Sequence, residues 1–336
     1  MQTTMSRAVA ALARSTCLGG LMPQLQTVYQ CLPLAPMHHH HLSTSSTDQV
    51  PSTDAAPSKS TPGPSGSSGA PGATPFSPQL HVTVEPLSGR FEGVSVLTLN
   101  RAEAGNAIGR QMLRELLDAV DLLRKERTTC CVLIKSCVPV FSLGSDQLEH
   151  ATMTHQETAE YVHDLRRCFY HIQALPMPTV ALLTGMAVGS GAELSLAADL
   201  RVASKQASFR FPEVTQGLMP GAGGTQRLAQ LVGVSRAKDL IFTARKVMAT
   251  EAAQMGLVNY LIDSDTAALD RALELAGGMA ESAPLALRMS KTAISCPEAG
   301  QWRVEESCCT QLMYTRDRVE GKRAFMENRK PRFTGE

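Results

Sequence analysis

Three loops in this sequence combine small residues with groups able to act on a substrate, and one carries a carboxylate where a carboxylate is costly. The first is Val140-Phe141-Ser142-Leu143-Gly144-Ser145-Asp146. The second is Gly185-Met186-Ala187-Val188-Gly189-Ser190-Gly191-Ala192-Glu193. The third begins Phe211-Pro212-Glu213 and resumes at Pro220-Gly221-Ala222-Gly223-Gly224-Thr225-Gln226-Arg227-Leu228. Small residues at such turns let another backbone, or a ligand, approach closely. Glu193 opens an Ala- and Leu-rich helical pattern that should be largely buried, where a carboxylate destabilises the fold unless it is partnered or used in proton transfer. Taken alone, Glu213 reads as a glutamate beside proline in a surface turn, and Gly-rich helix starts are common as plain turns. The loops contain no G-x-G-x-x-G, no phosphate-binding G-x-x-x-x-G-K and no G-x-S-x-G nucleophile elbow, which removes the chemistries those motifs serve.

The elements that must hold these loops are legible from periodicity. Apolar runs at Val94–Leu99, Cys130–Ile134, Thr179–Leu183 and Leu200–Ala203 predict strands bounded by turn residues. Ile108, Met112, Leu113, Leu116, Leu117, Val120 and Leu123 recur at helical spacing, and Thr154 with Glu157 forms a capping box before an amphipathic run that ends at Pro176. Strand and helix alternate, so the core is expected to be α/β. Beyond Val234 the pattern turns helical, with helices expected over Arg236–Arg245, Thr250–Met255, Thr266–Ala280, Ala286–Ile294 and Gln301–Glu327.

Composition narrows the class further. With 336 residues, 32 Lys plus Arg against 31 Asp plus Glu, 43% hydrophobic and 19% charged residues, the chain can bury a core, and charge-driven nucleic-acid binding is not indicated. No run approaches the roughly 20 apolar residues of a membrane span. The nine cysteines show no C-x-x-C spacing and read as free thiols, while His38–His41 reads as a polar tract rather than a metal site. Residues 1–42 contain Arg7 and Arg14 but no acidic residue, the composition of an organelle transit peptide, with import into the mitochondrial matrix as the expectation. Residues 43–78 are dominated by Pro, Ser, Gly and Thr and read as a disordered linker.

In their order and spacing, Asn100-Arg101, Gly144-Ser145-Asp146, Gly189 to Leu194, Pro212-Glu213 and Pro220 to Leu228 resemble the enoyl-CoA hydratase/isomerase (crotonase) family, from about Val94 to Glu336. Within it, the closing stretch Thr315 to Gly321, Ala324-Phe325, Pro331 to Phe333 and Gly335-Glu336 resembles a mitochondrial branch, one of whose members binds AU-rich RNA. The resemblance implies a crotonase-like ββα spiral core over 79–260 and a C-terminal helical oligomerisation region over 261–336 that builds homotrimers or hexamers. It implies an acyl-CoA thioester as substrate, no separate cofactor and no metal. The backbone N–H groups of Ser145 and Ser190 would form an oxyanion hole, and Ala104, Asp146, Gln147, Leu148 and Arg101 would lie along the CoA moiety. Glu193 and Glu213 match the two glutamates of family hydratases: Glu193 is assigned to orienting and deprotonating water, Glu213 to acid catalysis. Either carboxylate could hold the water. Two glutamates favour reversible hydration of a short-chain 2-enoyl-CoA, in fatty-acid or branched-chain amino-acid breakdown, over an isomerase, another crotonase reaction or a non-catalytic RNA-binding member.

Three departures from the family pattern mark this chain. Leu143-Gly144-Ser145-Asp146 stands where Ala-Gly-Ala-Asp is usual, and Gly189-Ser190-Gly191 where Gly-Gly-Gly is usual, so Ser190 must keep backbone angles that glycine keeps freely. Leu148 stands where many members have a lysine for CoA phosphate; Arg101, Arg110 and Arg114 are candidate replacements, with Arg110 and Arg114 reading rather as solvated arginines of a helix face. The helix that is Lys-rich in the RNA-binding relative has Arg110, Arg114 and Asp118 at the matching positions, an interrupted basic stripe, and RNA is not an expected partner.

Overall fold

A computed structural model of the chain describes residues 80–296 and 301–336; the transit-peptide, linker and His38–His41 assignments lie outside the described residues. The elements run β1 (Val82–Pro86), β2 (Val94–Leu99), α1 (Arg110–Lys125), β3 (Cys131–Ser136), α2 (Gln147–His150), α3 (His155–Gln173), β4 (Thr179–Leu183), β5 (Met186–Val188) and α4 (Ser190–Ala197). They continue with β6 (Leu200–Ser204), β7 (Ser208–Arg210), α5 (Gly224–Val232), α6 (Val234–Thr243), β8 (Val247–Met248), α7 (Ala249–Gln254) and β9 (Tyr260–Ile262). Four helices close the chain: α8 (Asp265–Ala280), α9 (Pro284–Ile294), α10 (Gln301–Leu312) and α11 (Arg316–Met326).

Two sheets organise the core. Six strands pair in the order β1-β2-β3-β4-β6-β9, parallel except for the β1–β2 pair, and three more pair as β5-β7-β8. Successive strands β4 and β5, then β6 and β7, enter different sheets before the chain turns into a helix or a 3-10 turn, which is the ββα winding that the family resemblance implies. The large sheet is covered on both faces, which is why its strands read as unbroken apolar runs. Leu97, Leu99, Val132, Ile134, Ala181 and Leu183 face one hydrophobic cluster with α1, α3 and α4, while Val94, Val96, Leu133, Val180 and Leu182 face α8. Ala268, Ala272 and Ala276 give α8 a small-residue stripe on that second face.

Two details differ from the sequence expectations. The boundary between core and C-terminal region, set at 260/261, falls inside β9, and α8 belongs to the packed core rather than to a separate region. The helix expected over Gln301–Glu327 is two helices, because Thr315 turns the chain and caps α11 by accepting the Arg318 N–H. The capping box of Thr154 and Glu157 is present at the start of α3. The three-residue strands β5, β7 and β9 escape sequence reading because so few residues show no period.

The helix that carries Glu193 is locked from behind. Every residue of α4 is buried, and its C-terminal carbonyls meet Arg201, a residue that is itself 1% exposed. Arg201 donates from Nε to Leu257 O at 2.7 Å and from Nη1 to Ala198 O at 2.8 Å and Ser195 O at 3.4 Å. A cation at a helix C-terminus also complements the helix dipole. Arg201→Leu is therefore expected to strand several buried carbonyls and lower the unfolding free energy by roughly 3 kcal/mol or more, read from denaturant midpoints. A variant within about 0.5 kcal/mol of the parent would show that Arg201 is not what satisfies them.

Candidate active site

Glu193 stands one turn into α4, 2% exposed, and its carboxylate is held rather than idle. Oε1 accepts the Gly224 N–H at 2.7 Å and the Ala222 N–H at 2.9 Å. The Gly-rich run of the third loop is thus a cradle of amides for the buried carboxylate of the second. Two arginines hold that cradle: Arg227 donates to Ala222 O at 2.8 Å and to Gln173 Oε1 at 2.9 Å, and Arg166 donates to Gly221 O at 2.9 Å. Burial raises the Glu193 pKa above the usual carboxylate range, and the Gly224 and Ala222 amides with the charges of Arg227 and Arg166 oppose that rise.

Glu213 comes from the 3-10 turn Glu213–Gln216 and approaches the same helix start. A side chain on Gly189 would lie 3.2 Å from Glu213 Oε1, and Gly189 O accepts the Glu193 N–H at 2.9 Å, so the carboxyl of Glu213 sits over the turn that begins α4. Its Oε2 is buried with no hydrogen-bond partner among the described residues. Burial pushes the pKa of Glu213 up to about 7; its own backbone N–H pulls the other way, and the neighbouring charge of Glu193 adds to the rise. The two carboxyls thus sit in different surroundings, Glu193 cradled by two amides and Glu213 with a buried Oε2 that has no partner among the described residues.

The first and second loops meet beside these carboxylates. Ser142 bridges Ala187 in parallel fashion, the Val188 N–H donates to Ser142 O at 3.0 Å, and the hydroxyls of Ser145 and Ser190 are 2.8 Å apart. Ser190 opens α4, so its N–H is one of the first-turn donors that a helix leaves free. Ser145 bridges Ile108: the Ile108 N–H donates to Gly144 O and Ile108 O accepts the Asp146 N–H, a parallel pattern that turns the N–H of Ser145 away from Ile108. The serine at position 190 is compatible with the backbone because the left-handed angle falls on Gly189, whose φ is 53°, and not on Ser190. Gly191 is the position that admits no side chain, since a Cβ there would run into Ser142 O.

The residues expected along CoA divide. Asp146 caps α2, accepting the Leu148 and Glu149 N–H groups, and pairs with Arg101 at 2.7 Å. Arg101 also donates to Ala107 O at 2.8 Å and to Glu103 at 3.2 Å, so its guanidinium is committed within the fold. Ala104 lies half-buried in the turn Ala102–Ala104, while Gln147 and Leu148 are exposed, Leu148 at 86%. Arg110 pairs with Glu157 at 3.1 Å and Glu149 at 3.6 Å, and Arg114 is exposed nearby; with Arg101 they border a cavity of about 370 Å³. Sequence reasoning missed Arg166, Arg227 and the amide cradle. The Gly223-Gly224 pair followed by Arg227 was the available signal.

The raised pKa of Glu213 has a consequence for stability. A carboxyl that titrates at about 7 in the folded chain, against an ordinary 4.5, binds its proton more tightly folded than unfolded. Stability must then fall as pH rises through that window, and the full cost persists above it. Glu213→Gln is expected to be more stable than the parent at about pH 8 and to lose that advantage by about pH 4, as read from chemical denaturation at both values. An advantage of equal size at both would place the gain outside the ionisation of Glu213.

Comparison with known proteins places this geometry. The sequence pattern of a family described as enoyl-CoA hydratase/isomerase matches residues 89–336. The chain is 43% identical over 264 residues to the Arabidopsis thaliana protein named probable enoyl-CoA hydratase 2, mitochondrial, covering 77% of this chain and 87% of that protein. It is 38% identical over 261 residues to methylglutaconyl-CoA hydratase, mitochondrial, of Mus musculus, covering 75% and 83% respectively. The crystal structure of an enoyl-CoA hydratase from Bacillus anthracis superposes with a TM-score of 0.73 at 34% identity, over 76% of this chain and 100% of that one. With the fold, the order of the loops and the sequence in agreement over the described body, the chain belongs to the enoyl-CoA hydratase/isomerase family.

Proposed function

We propose that this chain is a hydratase that adds water reversibly to a short-chain 2-enoyl-CoA, giving a 3-hydroxyacyl-CoA. The observation that carries the proposal is the pair of glutamates that meet at the start of α4, buried Glu193 from that helix and half-buried Glu213 from the 3-10 turn, both with pKa values raised by burial and each held by a different environment. Glu193, fixed at Oε1 by two amides, keeps an oxygen for water and takes a proton as the water oxygen bonds to C3. Glu213 delivers a proton to C2 and regains one from solvent as Glu193 releases the one it took, so one water molecule is added across the double bond and no external reagent is consumed. Charge that builds on the thioester oxygen in between is received by the Ser145 and Ser190 amides, aided by the N-terminal end of α4. Coenzyme A enters as part of the substrate, and the chemistry asks for no other cofactor or metal.

The remaining assignments have separate supports. Ile294, Trp302, Tyr314, Val319 and Phe325 of the C-terminal segment are 81%, 65%, 87%, 62% and 88% exposed in the single chain, which favours a homotrimer or a pair of trimers that covers them. Both relatives above are named as mitochondrial proteins, and the acid-free N-terminal segment agrees with import into the matrix. Breakdown of fatty acids or of branched-chain amino acids is the setting in which such a reaction would serve.

Purified protein is expected to bleach the conjugated-enone absorbance of crotonyl-CoA, of 3-methylglutaconyl-CoA or of both. Glu193→Gln and Glu213→Gln should each slow turnover by about 10²- to 10⁴-fold, because glutamine cannot exchange the proton. The ratio kcat/KM should also decline on the alkaline side with a midpoint of about 7, where Glu213 loses the proton it must give. No turnover with a panel of 2-enoyl-CoA thioesters by correctly folded protein would overturn the proposal, and conversion of a 3-enoyl-CoA to its 2-enoyl isomer alone would replace it with isomerase activity.

A further inference from the structure

Both amides that hold Glu193 belong to peptide groups whose oxygens are themselves engaged. Gly221 O and the Ala222 N–H are the two ends of one peptide group: Arg166 Nε donates to the oxygen at 2.9 Å, and the N–H donates to Glu193 Oε1 at 2.9 Å. Gly223 O and the Gly224 N–H are the two ends of the next group but one. That oxygen accepts the Gln226 and Arg227 N–H groups of α5 at 3.2 and 3.0 Å, and the Gly224 N–H donates to the same Oε1 at 2.7 Å. Arg227 Nη1 holds the oxygen of the peptide group between them, at 2.8 Å. One arm of the cradle thus ends on helix backbone, and the other ends on a guanidinium. Arg166 stands exposed on α3, where its neighbour Arg167 pairs with Asp164 while Arg166 spends its Nε on the third loop.

We propose that Arg166 is a positioning residue for Glu193, acting on the buried carboxylate through the single peptide group that joins Gly221 to Ala222. This rests on the proposal that Glu193 takes the water proton. A cation on the oxygen of a peptide group polarises it and strengthens the hydrogen bond that its N–H donates, the more so where water is excluded, as it is around a side chain 2% exposed. A surface arginine thereby favours the ionised form of a base it does not touch. The elements packed most closely on α4 are α3, α5 and β5. Arg166 comes from α3, Arg227 from α5 and Glu213 from the 3-10 turn, while β5 brings Met186, Ala187 and Val188 and the first loop brings Asp146, tied to Arg101. Tyr161 and Cys168 of α3 are kept neutral by burial, which pushes both pKa values up. Losing Arg166 removes one of the two cations that oppose the rise at Glu193, so the titration of that carboxyl moves to higher pH.

The test compares Arg166→Ala, Arg166→Gln and Arg166→Lys with the parent. Two quantities are followed against pH: kcat and KM for a turned-over 2-enoyl-CoA, and the carboxyl infrared band that Glu193→Gln removes, which needs no turnover. Arg166→Ala is expected to lower kcat about twofold to tenfold, the scale of one net hydrogen bond, with KM little changed. Its acid-side limb of kcat/KM and its Glu193 band should both move to higher pH, and the alkaline limb set by Glu213 should move less. Arg166→Lys keeps a cationic donor and should recover most of the rate and of the limb position; Arg166→Gln, a neutral donor, should not. Carried by a bonded peptide group rather than by solvent, the shift should persist in about 1 M salt, where the screening length is about 3 Å. A Glu193 titration identical in the parent and Arg166→Ala overturns the proposal and leaves the hydratase proposal intact. So does a shift that salt abolishes, the mark of a field acting through space. A folded parent that hydrates no 2-enoyl-CoA removes the hydratase proposal instead, and the infrared titration alone then decides whether Arg166 acts on Glu193.

Discussion

The structure depends on keeping a glutamate out of water without letting it find a cation. Glu193 is buried at the start of an apolar helix, and such a group tends to recruit an ion pair or to lose its charge. This chain gives it two amide donors from the glycine-rich stretch of the third loop, Ala222 and Gly224, and holds the arginines one step away on the carbonyls of the same loop. The carboxylate is thus solvated by dipoles while its basicity stays raised. The Gly-rich run, the buried Arg227 and the short helix α4 are parts of one arrangement that makes this burial tolerable.

The same helix start serves a second constraint. A ββα winding sends successive strands into different sheets, and the turns between them converge where α4 begins. Gly189 takes the left-handed angle that lets the chain leave β5 and enter α4 at once, and Gly191 lets the loop of Ser142 pack against the first turn. Ser190, between them, occupies the one position of the three where a side chain fits. Its hydroxyl reaches the neighbouring loop, so a departure from an all-glycine turn becomes a link between loops.

In the proposed reaction, acid and base are distinguished by surroundings rather than by residue type. Glu213 shares the apolar setting of Glu193 but has a buried Oε2 with no partner among the described residues, so its neutral form is favoured at a pH where ordinary carboxyls are ionised. Asp146, at the end of the first loop, shows the opposite outcome. Burial pushes its pKa up, but the Glu149 N–H, Arg101 and the Leu148 N–H outweigh it and hold the carboxyl below its usual range. It caps a helix and ties down Arg101.

The order of residues alone was enough for the α/β alternation and for the strands Val94–Leu99 and Thr179–Leu183 to the residue, because buried parallel strands and amphipathic helices write their periods plainly. It was also enough to single out Glu193, since a carboxylate in an Ala- and Leu-rich helix is out of place on composition. What that carboxylate touches was decided by packing. The Ala222 amide meets Glu193 across 29 positions of chain, Arg166 meets the Gly221 carbonyl across 55, and the Tyr161 hydroxyl meets Ile108 across 53. Hydrogen bonds of that kind leave no period in a sequence. The split of the last long helix at Thr315 and the membership of α8 in the core were likewise settled by what each segment packs against, which local pattern does not encode.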